Sequence, residues 1–158
     1  MNAKSPAESK AELIERMFPS DANPKGNVFG GEILKQIDLV AGLVAQRHCQ
    51  TNAVTVSIDK VNFLKPVFVG NALIVSAHIT YVHRSSMEIE IKVEAEDLEK
   101  GTRTVTGTAY VTFVALDEDG KPTPVPELLL KTDEDRRKFE EGKKRMESRI
   151  AERKQSQH

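Results

Sequence analysis

The stretch from Asp21 to Gly42 holds the densest set of residues able to do chemistry. It reads Asp21-Ala22-Asn23-Pro24-Lys25-Gly26-Asn27-Val28-Phe29-Gly30-Gly31, runs into a helical pattern carrying Asp38, and closes on Ala41-Gly42. The first N–H groups of a helix have no partner inside it and lie at the positive end of its dipole. Gly30 and Gly31, standing where the helix starts, let another group come close to that backbone. A carbonyl that gains negative charge under nucleophilic attack would find an oxyanion donor there, and one such donor is worth roughly 3 kcal/mol in a transition state. The plainer role for the two glycines is tight packing of the helix start.

Asp38 has Leu34, Ala41 and Gly42 among its helical neighbours. A carboxylate among such residues is costly to bury without partners or a task. The task that fits is general base for a water, or direct nucleophile; the plainer role is a bond to a neighbouring loop. Asn23 offers an amide that could bind a carbonyl oxygen or place a water, although Asn before Pro also starts turns for purely local reasons.

Spacing constrains these assignments. Gly30 and Asp38 stand eight positions apart, roughly 12 Å along a helix axis at 1.5 Å per residue. One reaction centre cannot touch both on the same helix. Two helices antiparallel across a dimer interface can supply one group each, so if both assignments hold, the active sites lie between two copies of the chain.

Positioning these residues requires a helix and something to cover it. From Gly30 to His48, Ile33, Ile37, Val40 and Val44 form one apolar stripe, Leu34, Ala41 and Ala45 widen it, and Leu39 and Leu43 add apolar surface on the far side. A helix apolar nearly all round is expected to be buried. Further on the period becomes two. Val54, Val56 and Ile58 alternate with polar residues, Leu73 to Tyr81 forms a longer strand, and Met87 to Ala95 alternates with Glu88, Glu90, Lys92, Glu94 and Glu96 as a strand with one wet face. Val105 to Phe113 is the last strand. Turns at Arg84 to Ser86 and Lys100-Gly101 make these an antiparallel meander. Residues 11 to 18 read as a short strand or turn.

Three segments result: a flexible N-terminus (1–10), one domain (11–130) and a charged helical tail (131–158). In the tail, Arg136-Arg137-Lys138 and Lys143-Lys144-Arg145 read as a solvated helix balanced by its acids. The class is α+β, one long central helix wrapped by a strongly curved antiparallel sheet: the hotdog fold. Its remaining open edge and face invite a second copy.

Composition narrows the chemistry. With 23 Lys plus Arg against 24 Asp plus Glu in 158 residues, the net charge of -1 disfavours a nucleic-acid partner. No apolar run is long enough for a membrane span, and the polar start lacks a secretory signal, so a cytoplasmic location is expected. The single cysteine, Cys49, rules out an internal disulfide and reads as a small buried hydrophobe at a helix end. No histidine stands at zinc spacing, and no metal is expected. His48, at the helix end, suits a cation near the dipole. Serine-hydrolase, phosphate-loop and dinucleotide fingerprints are missing. The hydroxyls, N–H groups and guanidinium of the Arg84-Ser85-Ser86-Met87 turn could hold a phosphate, although an exposed polar turn is the commoner explanation.

Taken together, Asp21-Ala22-Asn23, Gly26 to Gly31, Leu34, Asp38 and Ala41-Gly42 resemble the signature of the bacterial YciA-type acyl-CoA thioesterases, and are similar to the repeated domains of mammalian cytosolic acyl-CoA hydrolases. The resemblance continues through Phe63-Leu64-Lys65-Pro66-Val67, the Arg84 to Met87 turn, Gly120-Lys121-Pro122 and Pro124-Val125-Pro126, covering roughly residues 10 to 130. It implies a hotdog fold, hydrolysis of acyl-CoA to CoA and a free acid, and hexamers built as trimers of dimers. It implies a catalytic Asp38, a polar role for Asn23, an oxyanion N–H from Gly30 or Gly31, and CoA near Arg84, Ser85, Ser86 and Met87. CoA enters as part of the substrate, and no separate cofactor is implied. The alternative is a non-catalytic CoA-binding or regulatory module on the same fold, and Asp38 discriminates, because a module that only binds has no need of a carboxylate beside the thioester. A hotdog dehydratase would need a histidine near the helix, and none of the four is placed for it.

Overall fold

The computed structural model describes residues 1–156. After a short helix α1 (Pro6–Ser9) and strand β1 (Ala11–Arg16), a 3-10 turn (Pro19–Asp21) leads into the long helix α2 (Gly30–Cys49). Strands β2 (Asn52–Phe63), β3 (Ala72–His83), β4 (Ser86–Asp97) and β5 (Thr102–Leu116) follow, and helix α3 (Asp133–Ser156) is the last element described. All strand pairs are antiparallel, in the order β1-β3-β4-β5-β2. Helix α2 touches all five strands. Five strands spaced about 4.8 Å apart are wider than one helix, so the sheet must curl to reach it with every strand. Register shifts in β2 (Thr55/Ser57 and Asp59/Asn62), β3–β4 (Ile79/Tyr81) and β4–β5 (Val93/Glu94) supply local bends. This is the hotdog arrangement expected.

The stripe Ile33, Ile37, Val40, Ala41, Val44 and Ala45 is buried against the inward residues of the strands, among them Leu73, Val75, Ile89, Ile91, Val111 and Phe113. Cys49 joins this core, with its sulfur accepting from the Thr51 hydroxyl. The far side of α2 differs from expectation. Leu39 and Leu43 are about half-exposed, as are Val54 and Val56 on the edge strand β2. One chain has nothing to lay over that side of the helix.

His48 also departs from the sequence reading. It is fully buried in the last turn of α2, 2.7 Å from the carbonyl oxygen of Pro126. Burial pushes its pKa below the usual histidine value against the opposing pull of that carbonyl, so it is neutral at pH 7 and no cation for the dipole. Lys4 takes that role instead: its ammonium donates to the carbonyls of Arg47 and His48 and to the Gln50 side chain. The segment expected to be flexible is thereby tied down, with Ser5, Pro6 and Ser9 buried.

Helix α3 lies on the outer face of the sheet, with most of its residues in solvent. Gly142 sits so close that a Cβ there would come within 2.7 Å of Tyr81 and 2.8 Å of Glu88. Arg145 grips Glu88 with two hydrogen bonds and stacks over Tyr110, Lys138 pairs with Glu90, and Arg149 pairs with Asp59. The β4 face read as wet is therefore partly covered, and Glu88 is only 3% exposed.

Candidate active site

The loop between Asp21 and Phe29 is a fixed platform for the start of α2. The Phe29 N–H donates to Asp21 O, and the Val28 N–H donates to Val67 O. Within the loop, the Asn23 side-chain oxygen accepts from the N–H groups of Lys25 and Asn27, and the Gly26 N–H closes back on Asn23 O. Gly26 has φ +88°, a left-handed conformation that a Cβ would strain. The turn role foreseen for Asn23 is thus real. It occupies only the oxygen of the amide, and the NH2 end makes no hydrogen bond among the described residues.

Gly30 and Gly31 open α2, and no side chain caps the helix. Their N–H groups have no acceptor among the described residues. A Cβ at Gly31 would meet nothing within 4 Å, and one at Gly30 would meet only the Phe63 ring at 3.6 Å. Tight packing does not explain the pair within one chain. The backbone there is open to an incoming group.

Asp38 lies half-buried two turns further along. Its Oδ1 accepts a 2.6 Å hydrogen bond from the Thr55 hydroxyl on β2. That bond holds the carboxylate against the edge strand, and Oδ2 makes no hydrogen bond among the described residues. Thr55 was passed over in the sequence, where it is one polar residue in an alternating strand. Only the register of β2 beside α2 reveals the pairing.

The Arg84 turn closes the β3–β4 hairpin. Arg84 has φ +55°, and its carbonyl and that of Ser85 accept from Val125 and Ala115. The Arg84 side chain is exposed, while Ser85 and Ser86 are half-exposed with no side-chain bonds among the described residues. The Met87 side chain is fully buried in the core, so only the backbone of this residue is available to a ligand at the turn. The strand alternation that begins at Ser86 turns the side chain toward α2.

These groups do not meet within one chain. Phe63, beside Gly30, pairs with Gly107, whereas Thr55 pairs with Phe113 and Ser86 with Val114. The eight residues from Thr55 to Phe63 span about 26 Å of strand at most. The open helix start and Asn23 therefore lie at one end of the sheet, with Asp38–Thr55 and the Arg84 turn toward the other. Among the described residues no group of three or more His, Cys, Asp or Glu side chains converges. No helix is long and apolar enough to cross a membrane.

A model of the thioesterase superfamily matches residues 25–102. The uncharacterized acyl-CoA thioester hydrolase YkhA of Bacillus subtilis is 42% identical over 128 residues, covering 81% of this chain and 74% of that protein. The cytosolic acyl coenzyme A thioester hydrolase of Rattus norvegicus is 41% identical over 139 residues, 87% of this chain; the chain spans 36% of that protein's length. Among solved structures, the acyl-CoA hydrolase of Bacillus cereus aligns with a TM-score of 0.92 at 35% identity, covering 99% of this chain and 95% of that one. A hexameric acyl-CoA thioesterase aligns at 0.91 and 36% identity, with 96% and 97% covered. The Staphylococcus aureus acyl-CoA hydrolase, solved with butyryl coenzyme A and coenzyme A, aligns at 0.90 and 35%, with 98% and 94% covered. That enzyme has also been solved with an aspartate, an asparagine and a threonine each replaced by alanine. There the asparagine precedes the aspartate by fifteen positions and the threonine follows it by seventeen, the separations of Asn23, Asp38 and Thr55 here.

Proposed function

Because the chain belongs to the acyl-CoA thioester hydrolases of the thioesterase superfamily, we propose that it cleaves acyl-CoA with Asp38 as the catalytic carboxylate, at two sites shared between paired copies. The observation that carries this is the Asp38–Thr55 hydrogen bond, 2.6 Å long, on a helix whose start presents two N–H groups without acceptors among the described residues. The matching separations in the S. aureus enzyme support the same three side chains.

The reaction follows from that geometry. The thioester carbonyl oxygen sits against the N–H of Gly30 or Gly31, with the Asn23 NH2 beside it. Asp38 of the facing copy takes a proton from water as the water oxygen attacks the carbonyl carbon, or attacks that carbon itself and is later released by water. Charge on the oxygen is met by the helix start. The C–S bond then breaks, the electron pair leaves on the CoA sulfur, and a proton restores the thiol. Thr55 holds the carboxylate in its reacting orientation. The exposed guanidinium of Arg84 and the hydroxyls of Ser85 and Ser86 are the groups for the phosphates of CoA.

The exposed apolar surface fits the same picture. Leu39 and Leu43 on α2, and Val54, Val56 and Phe63 on the unpaired edge strand β2, are exposed apolar side chains of the kind a second copy covers. Assembly into hexamers, the state named for one structural neighbour, is the expected form in solution. A cytoplasmic setting agrees with the rat relative's name. The test is thiol release from a panel of acyl-CoAs by the wild type and by Asp38→Asn. Hydrolysis by the first and near-complete loss in the second are expected. Equal rates would remove Asp38 from the chemistry, and no release from any acyl-CoA by the wild type would favour a module that only binds CoA.

A further inference from the structure

Thr55 and Ser57 on β2 face opposite sides of the sheet, although residues two apart in an unbroken strand share a face. Thr55 stands opposite Phe113, a core residue, and gives its hydroxyl to Asp38 on the helix side. Ser57 stands opposite Thr112, and both hydroxyls meet Arg149 of α3 on the outer side. The register shift between Thr55 and Ser57 reverses the facing, with Val56 as the extra residue of a bulge. A second shift lies between Asp59 and Asn62, where Lys60 has φ +52°. Ser57 to Asp59, the stretch between the two shifts, therefore decides which way Thr55 points. Arg149 holds that stretch. Its Nη1 donates to the Ser57 hydroxyl at 3.2 Å, to the Asp59 carboxylate at 3.0 Å, and across the strand pair to the Thr112 hydroxyl. The Ser57 hydroxyl donates in turn to Asp59 at 3.1 Å, which closes the network.

We propose that Arg149 is a positioning residue for the hydrolysis: by pinning the bulge from the outer face, it keeps Thr55 turned to Asp38 on the inner one. The inference rests on the thioester reading above and gives α3 a part in it. Three features favour it. β2 needs a hold, because it lies at the edge of the sheet and pairs only with β5. A one-residue slip there sends each side chain to the other face, so loss of the bulge takes the Thr55 hydroxyl off Asp38. The hold is specific, because the other cations of α3 that reach the sheet, Lys138 and Arg145, grip Glu90 and Glu88 on β4. Among the described residues no other α3 side chain is hydrogen-bonded to β2. The contact is also more than an exposed ion pair, which is worth little: Arg149 is only 22% exposed and bonds to both strands of the pair.

The test is kcat and KM for thiol release from the acyl-CoA that the wild type cleaves fastest, for Arg149→Met, Arg149→Lys and Lys138→Gln. Arg149→Met should lower kcat about tenfold, the scale of one loosened hydrogen bond to a carboxylate. KM should change by less than about twofold, because substrate binding is not touched. Arg149→Lys should recover most of kcat, since one nitrogen makes all three bonds and an ammonium carries three donors. Lys138→Gln frees α3 from β4 and should leave kcat near wild type. In a Thr55→Ala background Arg149→Met should have little further effect, because residues acting through one contact are not additive. Should Arg149→Met fail to fold, Ser57→Ala removes one acceptor and must lower kcat in the same direction. Given a wild type that hydrolyses, three results overturn the positioning role and leave the enzyme standing: full kcat in Arg149→Met, an equal loss from it without Thr55, or an equally slow Lys138→Gln. No hydrolysis of any acyl-CoA by the wild type overturns both.

Discussion

The hydroxyl of Thr55 and the carboxylate of Asp38 are 2.6 Å apart, and this bond joins the middle of the central helix to the open edge strand. In the pairing proposed above, the carboxylate lies on the surface that the second copy covers, which would couple its orientation to assembly. Hydrogen bonds to charged groups are worth about 1.5–3 kcal/mol. Thr55→Ala should lower kcat by roughly ten- to a hundredfold on that scale, with a smaller change in KM, and Thr55→Ser should recover most of it. Unchanged kcat in the alanine variant would show that Asp38 needs no help from Thr55.

Asn23 separates chemistry from binding. Its oxygen holds the loop, and its NH2 end makes no hydrogen bond among the described residues. Asn23→Ala should lower turnover more than it lowers CoA affinity, as read from single-turnover rates and calorimetric titration with CoA. Normal turnover of bound substrate with collapsed affinity would make the residue a binding or loop-forming one. Asn23→Asp keeps the accepting oxygen and loses the NH2, so it should preserve the melting temperature and still be slow.

The shared-site arrangement predicts complementation. Gly30→Pro removes a backbone donor and places a ring where the substrate must approach, and Asp38→Ala removes the carboxylate. Each homodimer should be inactive. In a mixed dimer one site collects both defects and the other neither, so activity should return toward half of wild type. Circular dichroism and gel filtration must first show that the Gly30 variant folds and pairs. Purified mixed dimers without activity, or a verified monomer with it, would refute sharing.

The grip of α3 on the sheet should be a large term in stability. Arg145 makes two bonds to Glu88, at 3.0 and 2.8 Å, and Glu88 is nearly inaccessible to water. Arg145→Met leaves that carboxylate buried without its cation and should cost about 3 kcal/mol or more in urea unfolding. Lys143→Ala, on the exposed side of the same helix, should stay within about 0.5 kcal/mol. Adding Glu88→Gln to Arg145→Met should recover part of the loss.

Acid should loosen the same helix through Glu90. Burial alone would raise this carboxyl, but contacts from His78 and Lys138 outweigh it and hold the pKa at about 2. The unfolded chain binds its proton near the ordinary value of 4.5, so folding is favoured by the ionised form. That contribution is complete above about pH 4.5 and is lost as the pH falls toward 2. Lys138→Gln should flatten the pH dependence of the melting temperature across this window. An unchanged slope would mean that the Lys138 contact does little.

The local patterns in the chain determined a good deal. A 3.6-residue stripe from Ile33 to Ala45 and two-residue alternation in four later segments are read within one element, so the long helix, the β3–β4–β5 meander and the hotdog class followed from them, whereas the pairing of β2 with β5 instead of β3 did not. Gly30-Gly31 before the helix and Asp38 within it were visible for the same reason, since both are defined by position along one helix. Their eight-residue separation was enough to call for two chains. What periodicity does not carry is which distant element covers a face. β4 reads as half-wet whether water or α3 lies on it, and the docking of Gly142 and Arg145 against Glu88 buried a face expected to be exposed. The flexible start became ordered because Lys4 found the carbonyl end of α2, more than forty residues away. Thr55 is one threonine among many until the bulged register of β2 brings it to Asp38. Local spacing specifies the elements and their chemistry, and long-range packing decides which charges are paired, which faces are dry and which hydroxyl holds the carboxylate.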